Sequence, residues 1–272
     1  MRRRALLASL GTAATTATAG CLSSVFGTTV SESFENSYDV TDETVLSVDN
    51  RNGDVTVRDT DADQLTVAGE KQATSESKLD DITVDVTTGE RFAIDVSFGS
   101  GSAFERRRVD LTIDVPDAVT VDSLATSNGN LTANGVGGDL RATTSNGNVE
   151  VTDVRGYVDC DTSNGNVRVR GATGVDGAQT SNGSIDVDLL AIRDDVTCES
   201  SNGSVTVRVG PDVSAAFRLS TTNGRASVED LEYTSSTARR GRVEGRLRGG
   251  TDPTLTAETT NGDVRLRPAE TE

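Results

Sequence analysis

The sequence contains no histidine and no tryptophan, and aromatic residues make up only 3% of its 272 positions. Without histidine, Ser-His-Asp and Cys-His nucleophilic machinery and histidine metal sites are excluded. With so few aromatics, a core must be built from Val, Leu, Ile, Ala and Thr, which suits a thin core better than a thick one. Proline occurs four times and lysine only at Lys71 and Lys78. Positive charge is scarce overall: 26 basic residues face 43 acidic ones, a formal charge of −17. That field opposes nucleic acid as a partner. Ordered alternation of apolar and polar residues argues against disorder. The acidic balance therefore reads as a folded protein adapted to high salt, of the haloarchaeal kind, where carboxylate repulsion is screened.

The first 21 residues, MRRRALLASLGTAATTATAGC, place a basic stretch before a mildly apolar one. This is the pattern of a targeting segment, distinct from the fold. Arg3 and Arg4, followed by Ala5-Leu6-Leu7, resemble a twin-arginine export signal. Thr18-Ala19-Gly20-Cys21 resembles a lipoprotein cleavage box, which implies a lipid on Cys21 as the mature N-terminus. Stable anchoring would take two acyl chains. The expected location is the extracellular face of the cytoplasmic membrane, with the membrane as a partner through Cys21. Residues 22–44, rich in Ser, Thr and Glu, read as a flexible tether.

Asn-Gly then recurs at nearly fixed spacing, mostly inside the string Thr-Ser-Asn-Gly. The pairs are Asn128-Gly129, Asn146-Gly147, Asn164-Gly165, Asn182-Gly183, Asn202-Gly203, Asn223-Gly224 and Asn261-Gly262, separated by 18, 18, 18, 20, 21 and 38 residues. An earlier relative opens at Asn52-Gly53. Between corners the pattern alternates. Val149, Val151, Val154, Val158 and Cys160 share one side, while Glu150, Asp153, Asp159 and Asp161 share the other. That is period-two patterning, twice per unit. A meander of hairpins would show the same alternation. Near-identity of successive units favours stacked coils, in which each residue meets its own copy about 4.8 Å away. The expectation is an all-β protein: a β-solenoid of about 18-residue, two-strand coils, with stacked asparagines forming a corner ladder. Residues 45–125 read as an irregular β cap on the N-terminal side. Residues 126–268 read as the repeat coils, with a hairpin excursion at 230–258. Caps are required because a bare terminal coil exposes sheet edges.

The stretch VDLTIDVPDAVTVDSLATSNGNLTANGVGGDLRATTSNGNVEV, with Val115-Pro116 closing a strand before the coils, resembles the "putative adhesin" family. This is a domain of unknown function on bacterial and archaeal surfaces, and the resemblance runs over roughly residues 45–268. It implies a β-solenoid at the cell envelope and supplies no catalytic residues.

No catalytic, cofactor-binding or metal-binding residue stands out, and none is expected. Cys160 and Cys198 occupy equivalent inward slots two coils apart. That is about 9.6 Å by strand spacing, beyond the roughly 7 Å a disulfide tolerates. Asp153, Asp159 and Asp161 could form a polysaccharide-cleaving cluster, but a solvated acidic face is the simpler reading. Gly137-Gly138-Asp139-Leu140 is reminiscent of calcium-binding repeats but occurs once. Arg106-Arg107-Arg108 and the group Arg239, Arg240, Arg242, Arg246 and Arg248 stand out against the acidic background. They could contact an acidic surface glycan or an envelope protein, or simply pair with local carboxylates. Asn130, Asn182 and Asn202 fit the glycosylation pattern, with Asn130 favoured because the other two sit in the expected corner ladder. Three functions follow: a lipid-anchored, non-enzymatic surface protein for adhesion or envelope binding; an envelope-stress or membrane-complex accessory protein; and, with least support, a calcium-dependent polysaccharide enzyme.

Overall fold

Each repeat unit carries two runs of alternating apolar residues, and each run becomes one strand. The computed structural model describes residues 29–99 and 106–269. The chain begins with β1 (Val30–Asp39), β2 (Val45–Asn52), β3 (Val55–Thr60) and β4 (Gln64–Ala73), then a one-turn helix α1 (Glu76–Leu79). Next come β5 (Ile82–Thr87), β6 (Arg91–Phe98) and β7 (Arg108–Pro116). The regular coils follow as long and short strands in turn: β8 (Thr120–Asn128), β9 (Leu131–Asn134), β10 (Leu140–Asn146), β11 (Val149–Thr152), β12 (Tyr157–Asn164) and β13 (Val167–Arg170). They continue with β14 (Gly174–Asn182), β15 (Ile185–Leu189), β16 (Val196–Asn202) and β17 (Val205–Val209). The C-terminal part holds β18 (Ala215–Asn223), β19 (Ala226–Val228), β20 (Tyr233–Arg239), β21 (Arg242–Leu247), β22 (Thr254–Asn261) and β23 (Val264–Pro268).

The long strands stack into one sheet and the short ones into another, both in parallel register. Val149 pairs with Leu131 on one side and Val167 on the other, and Asn146 lies between Asn128 and Asn164. The fold is a β-solenoid of two facing sheets. The core between them is thin: Val149, Val151, Val154, Val158 and Cys160 are each at most 1% exposed. Cys160, Ala178, Cys198 and Ala257 form one inward column. Both cysteines are free and buried, and burial pushes the Cys198 thiol up to about 12.

The order of strands in space departs from their order in sequence at both ends. The short-strand sheet runs β1-β4-β7-β3-β9-β11-β13-β15-β17-β23-β19. The long-strand sheet runs β20-β21-β18-β22-β16-β14-β12-β10-β8-β2-β6-β5. The final coil of the chain, β22–β23, is thus inserted between β16–β17 and β18–β19. At the other end, β2–β3 lies inside β6 and β7. Residues 45–125 are therefore not wholly a cap: β2 and β3 pair in parallel with β8 and β9 as an ordinary coil. The assignment of 22–44 to a flexible tether is also corrected at residues 30–39. Val30–Asp39 forms β1, antiparallel to β4 along its whole length.

Antiparallel strands close the stack: β7-β4-β1 and β6-β5 at one end, and the hairpin β20–β21 against β18 at the other. Aromatic contacts mark these caps. Tyr38 meets Phe92 edge-on at 5.2 Å, and Phe217 meets Tyr233 at 5.5 Å. The thin middle coils leave no room for such rings inside, and the one aromatic there, Tyr157, sits on the outside.

Candidate functional site

Arg3, Arg4 and Cys21 lie outside the described residues, so the structure says nothing of the anchor. The corner residues lie in one column. Asn146 donates its side-chain amide to the Oδ1 of Asn128 at 2.8 Å, Asn164 to Asn146 at 2.9 Å, and Asn182 to Asn164 at 2.9 Å. Asn202 donates to Asn182 at 3.0 Å, Asn261 to Asn202 at 2.9 Å, and Asn223 to Asn261 at 2.9 Å. The glycines stack beside them, with Gly129 N–H bonded to the carbonyl of Asn146 and Gly147 N–H to that of Asn164. Close approach is what demands glycine. A Cβ on Gly147 would stand 1.9 Å from the Gly129 carbonyl oxygen, and one on Gly165 would stand 1.8 Å from that of Gly147.

Two further columns flank this ladder, and sequence reasoning missed both. The threonine of Thr-Ser-Asn-Gly points inward and caps a carbonyl of the neighbouring coil. Thr144, Thr162 and Thr180 donate to Gly129, Gly147 and Gly165 at 2.9–3.0 Å, and Ser200 does the same to Gly183 at 2.8 Å. In the first coil Asn50 fills the threonine slot and bonds the carbonyl of Val109 at 2.9 Å. The residue after Asn-Gly forms the third column. Its side-chain oxygen accepts the backbone N–H of the next coil: Asp54 from Asn130, Asn130 from Asn148, Asn148 from Asn166, and Asn166 from Ser184, at 2.7–2.9 Å. The reason for favouring Asn130 as a glycan acceptor therefore fails. Its amide also donates to Asp54, so it is held in a ladder just as Asn182 and Asn202 are. The signal for both columns was the recurrence of Thr or Ser two residues before Asn-Gly and of a small polar residue after it in most units.

The acidic candidates do not converge. Asp159 and Asp161 lie on β12, where Arg141 bridges them at 3.2 and 2.9 Å. Asp153 follows β11 on the other sheet. Burial and the neighbouring Asp161 push the Asp159 carboxyl above the ordinary range, against the pull of Arg141. Among the described residues there is no group of three or more metal-capable side chains.

Asp153 instead borders a surface recess of about 470 Å³, lined also by Thr152, Arg170, Asp188, Leu190 and Arg208. Asp153 holds a left-handed backbone, φ 54°, and Leu190 is 38% exposed. Arg170 and Arg208 share Asp186 and Asp188 at 2.5–3.4 Å. Burial raises the Asp186 carboxyl, but hydrogen bonds from Arg208 and Arg170 outweigh it and hold it below the usual range. Asp139, from the glycine-rich segment once compared with calcium repeats, accepts the Tyr157 N–H at 2.8 Å and pairs with Arg193 at 2.7 Å. Both contacts, the Tyr157 N–H first, lower its pKa. Arg193 also pairs with Asp176 and lies 3.9 Å over the Tyr157 ring, stapling three coils together.

The basic groups divide. Arg107 is buried over Phe98 and 3.8 Å from Asp81, and Arg108 pairs with Asp54 and Asp110 at 2.7 Å. Arg242 pairs with Glu244 at 2.6 Å, and Arg248 donates to the Val213 carbonyl at 3.0 Å. Arg239, Arg240 and Arg246 stand exposed on the C-terminal hairpin.

A stack of self-repeating coils between two antiparallel caps defines the chain as a β-solenoid. The family model Toastrack DUF4097 matches residues 44–156 and 123–267, and the chain belongs to that family. Solved structures of similar fold include a putative adhesin from Bacteroides fragilis NCTC 9343, 13% identical, covering 87% of this chain and 97% of that one at a TM-score of 0.45. A putative cell adhesion protein from Clostridium sporogenes ATCC 15579 is 9% identical, covering 86% and 99%, with a TM-score of 0.36. A putative lipid binding protein from Parabacteroides distasonis ATCC 8503 is 11% identical, covering 86% and 96%, with a TM-score of 0.35. No curated protein matched the chain.

Proposed function

We propose that this is a non-enzymatic, lipid-anchored cell-surface protein whose rigid solenoid presents a binding surface at the outer face of the cytoplasmic membrane. The observation that carries the reading is the parallel stacking of the coils from β8 to β17, which no long loop interrupts, beside an N-terminal Thr-Ala-Gly-Cys box. Active sites are usually built on long loops that interrupt a scaffold, and the coils from β8 to β17 have short corners. Val30 opens β1 nine residues past Cys21. A lipid on Cys21 would thus hold the N-terminal cap within about 30 Å of the bilayer. The C-terminal hairpin, at the opposite end of the long-strand sheet, would face outward. Among the described residues no helix is long and apolar enough to cross a membrane.

Two measurements test this. Cys21→Ser should move the protein from the membrane fraction to the medium; retention on the membrane sinks the anchor. A pull-down with the soluble protein from native envelope in molar salt should enrich glycan or surface-layer material. A single enriched membrane protein would instead favour an accessory role.

A further inference from the structure

We infer that the C-terminal hairpin is a binding site for an anionic polysaccharide, recognised through its carboxylate or sulfate groups. The inference deepens the surface-binding reading and rests on it for where the polymer is met. Residues 233–248 hold five arginines and one carboxylate, Glu244, in a chain of net charge −17. Glu244 is already engaged by Arg242 at 2.6 Å and Arg218 at 3.0 Å. Arg239 and Arg242 are directly opposite each other across the β20–β21 pair. Glu244 balances Arg242, whereas Arg239 and Arg240 form no ion pair among the described residues, so their charge is left for a bound anion. Arg240 extends the cluster into the turn.

The turn is held in place by the coil beneath. The Ala226 N–H bonds to the Arg240 carbonyl at 2.9 Å, and the Thr221 N–H to the Gly241 carbonyl at 2.8 Å. This sets Arg240 beside exposed Arg225, whose backbone N–H is held by Asp263 at 3.0 Å. The site is therefore preorganised: the backbone is fixed, and the guanidinium forks of Arg239 and Arg240, unlike those of Arg242 and Arg248, are open to planar anions in bidentate fashion. Short charge-assisted hydrogen bonds of this kind act at contact range, whereas long-range attraction is screened in high salt.

Position selects among anionic partners. The opposite end of the molecule, residues 29–99, holds seventeen acidic residues against five basic ones. A bilayer near that end is far from the hairpin. A duplex would be repelled by the field of the whole chain, and no ring on the hairpin other than Tyr233 could stack on a base. A flexible polysaccharide chain can reach the hairpin alone.

The test uses the purified full-length mature protein against immobilised polygalacturonate (carboxylate) and heparin (sulfate). Arg239→Glu/Arg240→Glu is compared with Arg168→Glu, an exposed arginine on β13 outside the hairpin. Wild type should bind at least one polymer, the double variant should bind about tenfold more weakly or worse, and Arg168→Glu should bind as wild type does. Binding to one polymer alone identifies the anion. Unchanged thermal stability of the double variant excludes misfolding; if it unfolds, Arg239→Gln with Arg240→Gln serves in its place. Binding to neither polymer, equal loss with Arg168→Glu, or binding only to phosphatidylglycerol vesicles or to a second copy overturns the proposal. Anchoring is read by fractionation and anion binding by purified protein, so the two fail separately.

Discussion

The side chain of Asn261 donates to Asn202 at 2.9 Å across 59 residues of sequence, and Asn223 donates in turn to Asn261. The last coil of the chain is thus the next-to-last coil in space. A C-terminal segment would ordinarily fray. Here it is hydrogen-bonded on both sides, and the exposed end is handed to β18–β19 and the hairpin that covers β18.

The asparagine column predicts a positional gradient. Asn164 bonds both Asn146 and Asn182, whereas Asn223 ends the row. Asn164→Ala should cost about 1–2 kcal/mol in denaturant unfolding, and Asn223→Ala about half as much. Equal costs would mean that the ladder contributes little.

Close coil stacking predicts that glycine is required at some sites and optional at others. Gly147→Ala forces a Cβ to 1.9 Å from a backbone oxygen and should cost about 3 kcal/mol or prevent folding. Gly137→Ala meets nothing closer than an Arg155 nitrogen at 3.7 Å and should leave the melting temperature unchanged.

The left-handed backbone of Asp153 predicts a stabilising change. Asp153→Gly should raise stability by about 0.5–1 kcal/mol in thermal melts, by relieving a conformation that costs a side chain. A loss would mean that the Asp153 carboxylate holds the recess together.

Two carboxylates predict opposite responses to pH. The folded pKa of Asp139 is depressed, so its contribution is present above the unfolded value and is lost as pH falls through the folded one. Asp139→Asn should lower neutral-pH stability and flatten the acid limb of the profile. The folded pKa of Asp159 is raised, so its charged form is a penalty, absent below the unfolded pKa and complete above the folded one. Asp159→Asn should raise the neutral-pH melting temperature, with the gain vanishing in acid.

Much of this was legible in the sequence. Val149, Val151, Val158 and Cys160 face inward as their alternation requires, and the Asn-Gly corners stack because each unit is nearly a copy of the last. The broken period after Asn223 correctly marked a hairpin, since Tyr233–Arg239 and Arg242–Leu247 pair with each other. The order of coils was not legible. Asn202, Asn223 and Asn261 present equivalent corners, so any of them can pair with any other, and only long-range packing selects the sequence 202-261-223. The strand at Val30–Asp39 was hidden because its residues are Ser- and Glu-rich. An edge strand exposed along most of its length needs little apolar patterning. The Arg193 staple joins Asp139, Tyr157 and Asp176 from successive coils, a proximity visible only once the coil spacing is known.

Native-state hydrogen exchange of the amides in Leu255–Asn261 and Val264–Leu266 tests the coil order most directly. Inserted between two coils, they should exchange as slowly as those of Val196–Asn202 and more slowly than those of Ala226–Val228 at the sheet edge. If they exchange faster than Ala226–Val228, the chain ends its stack in sequence order, and the locked solenoid described above is wrong.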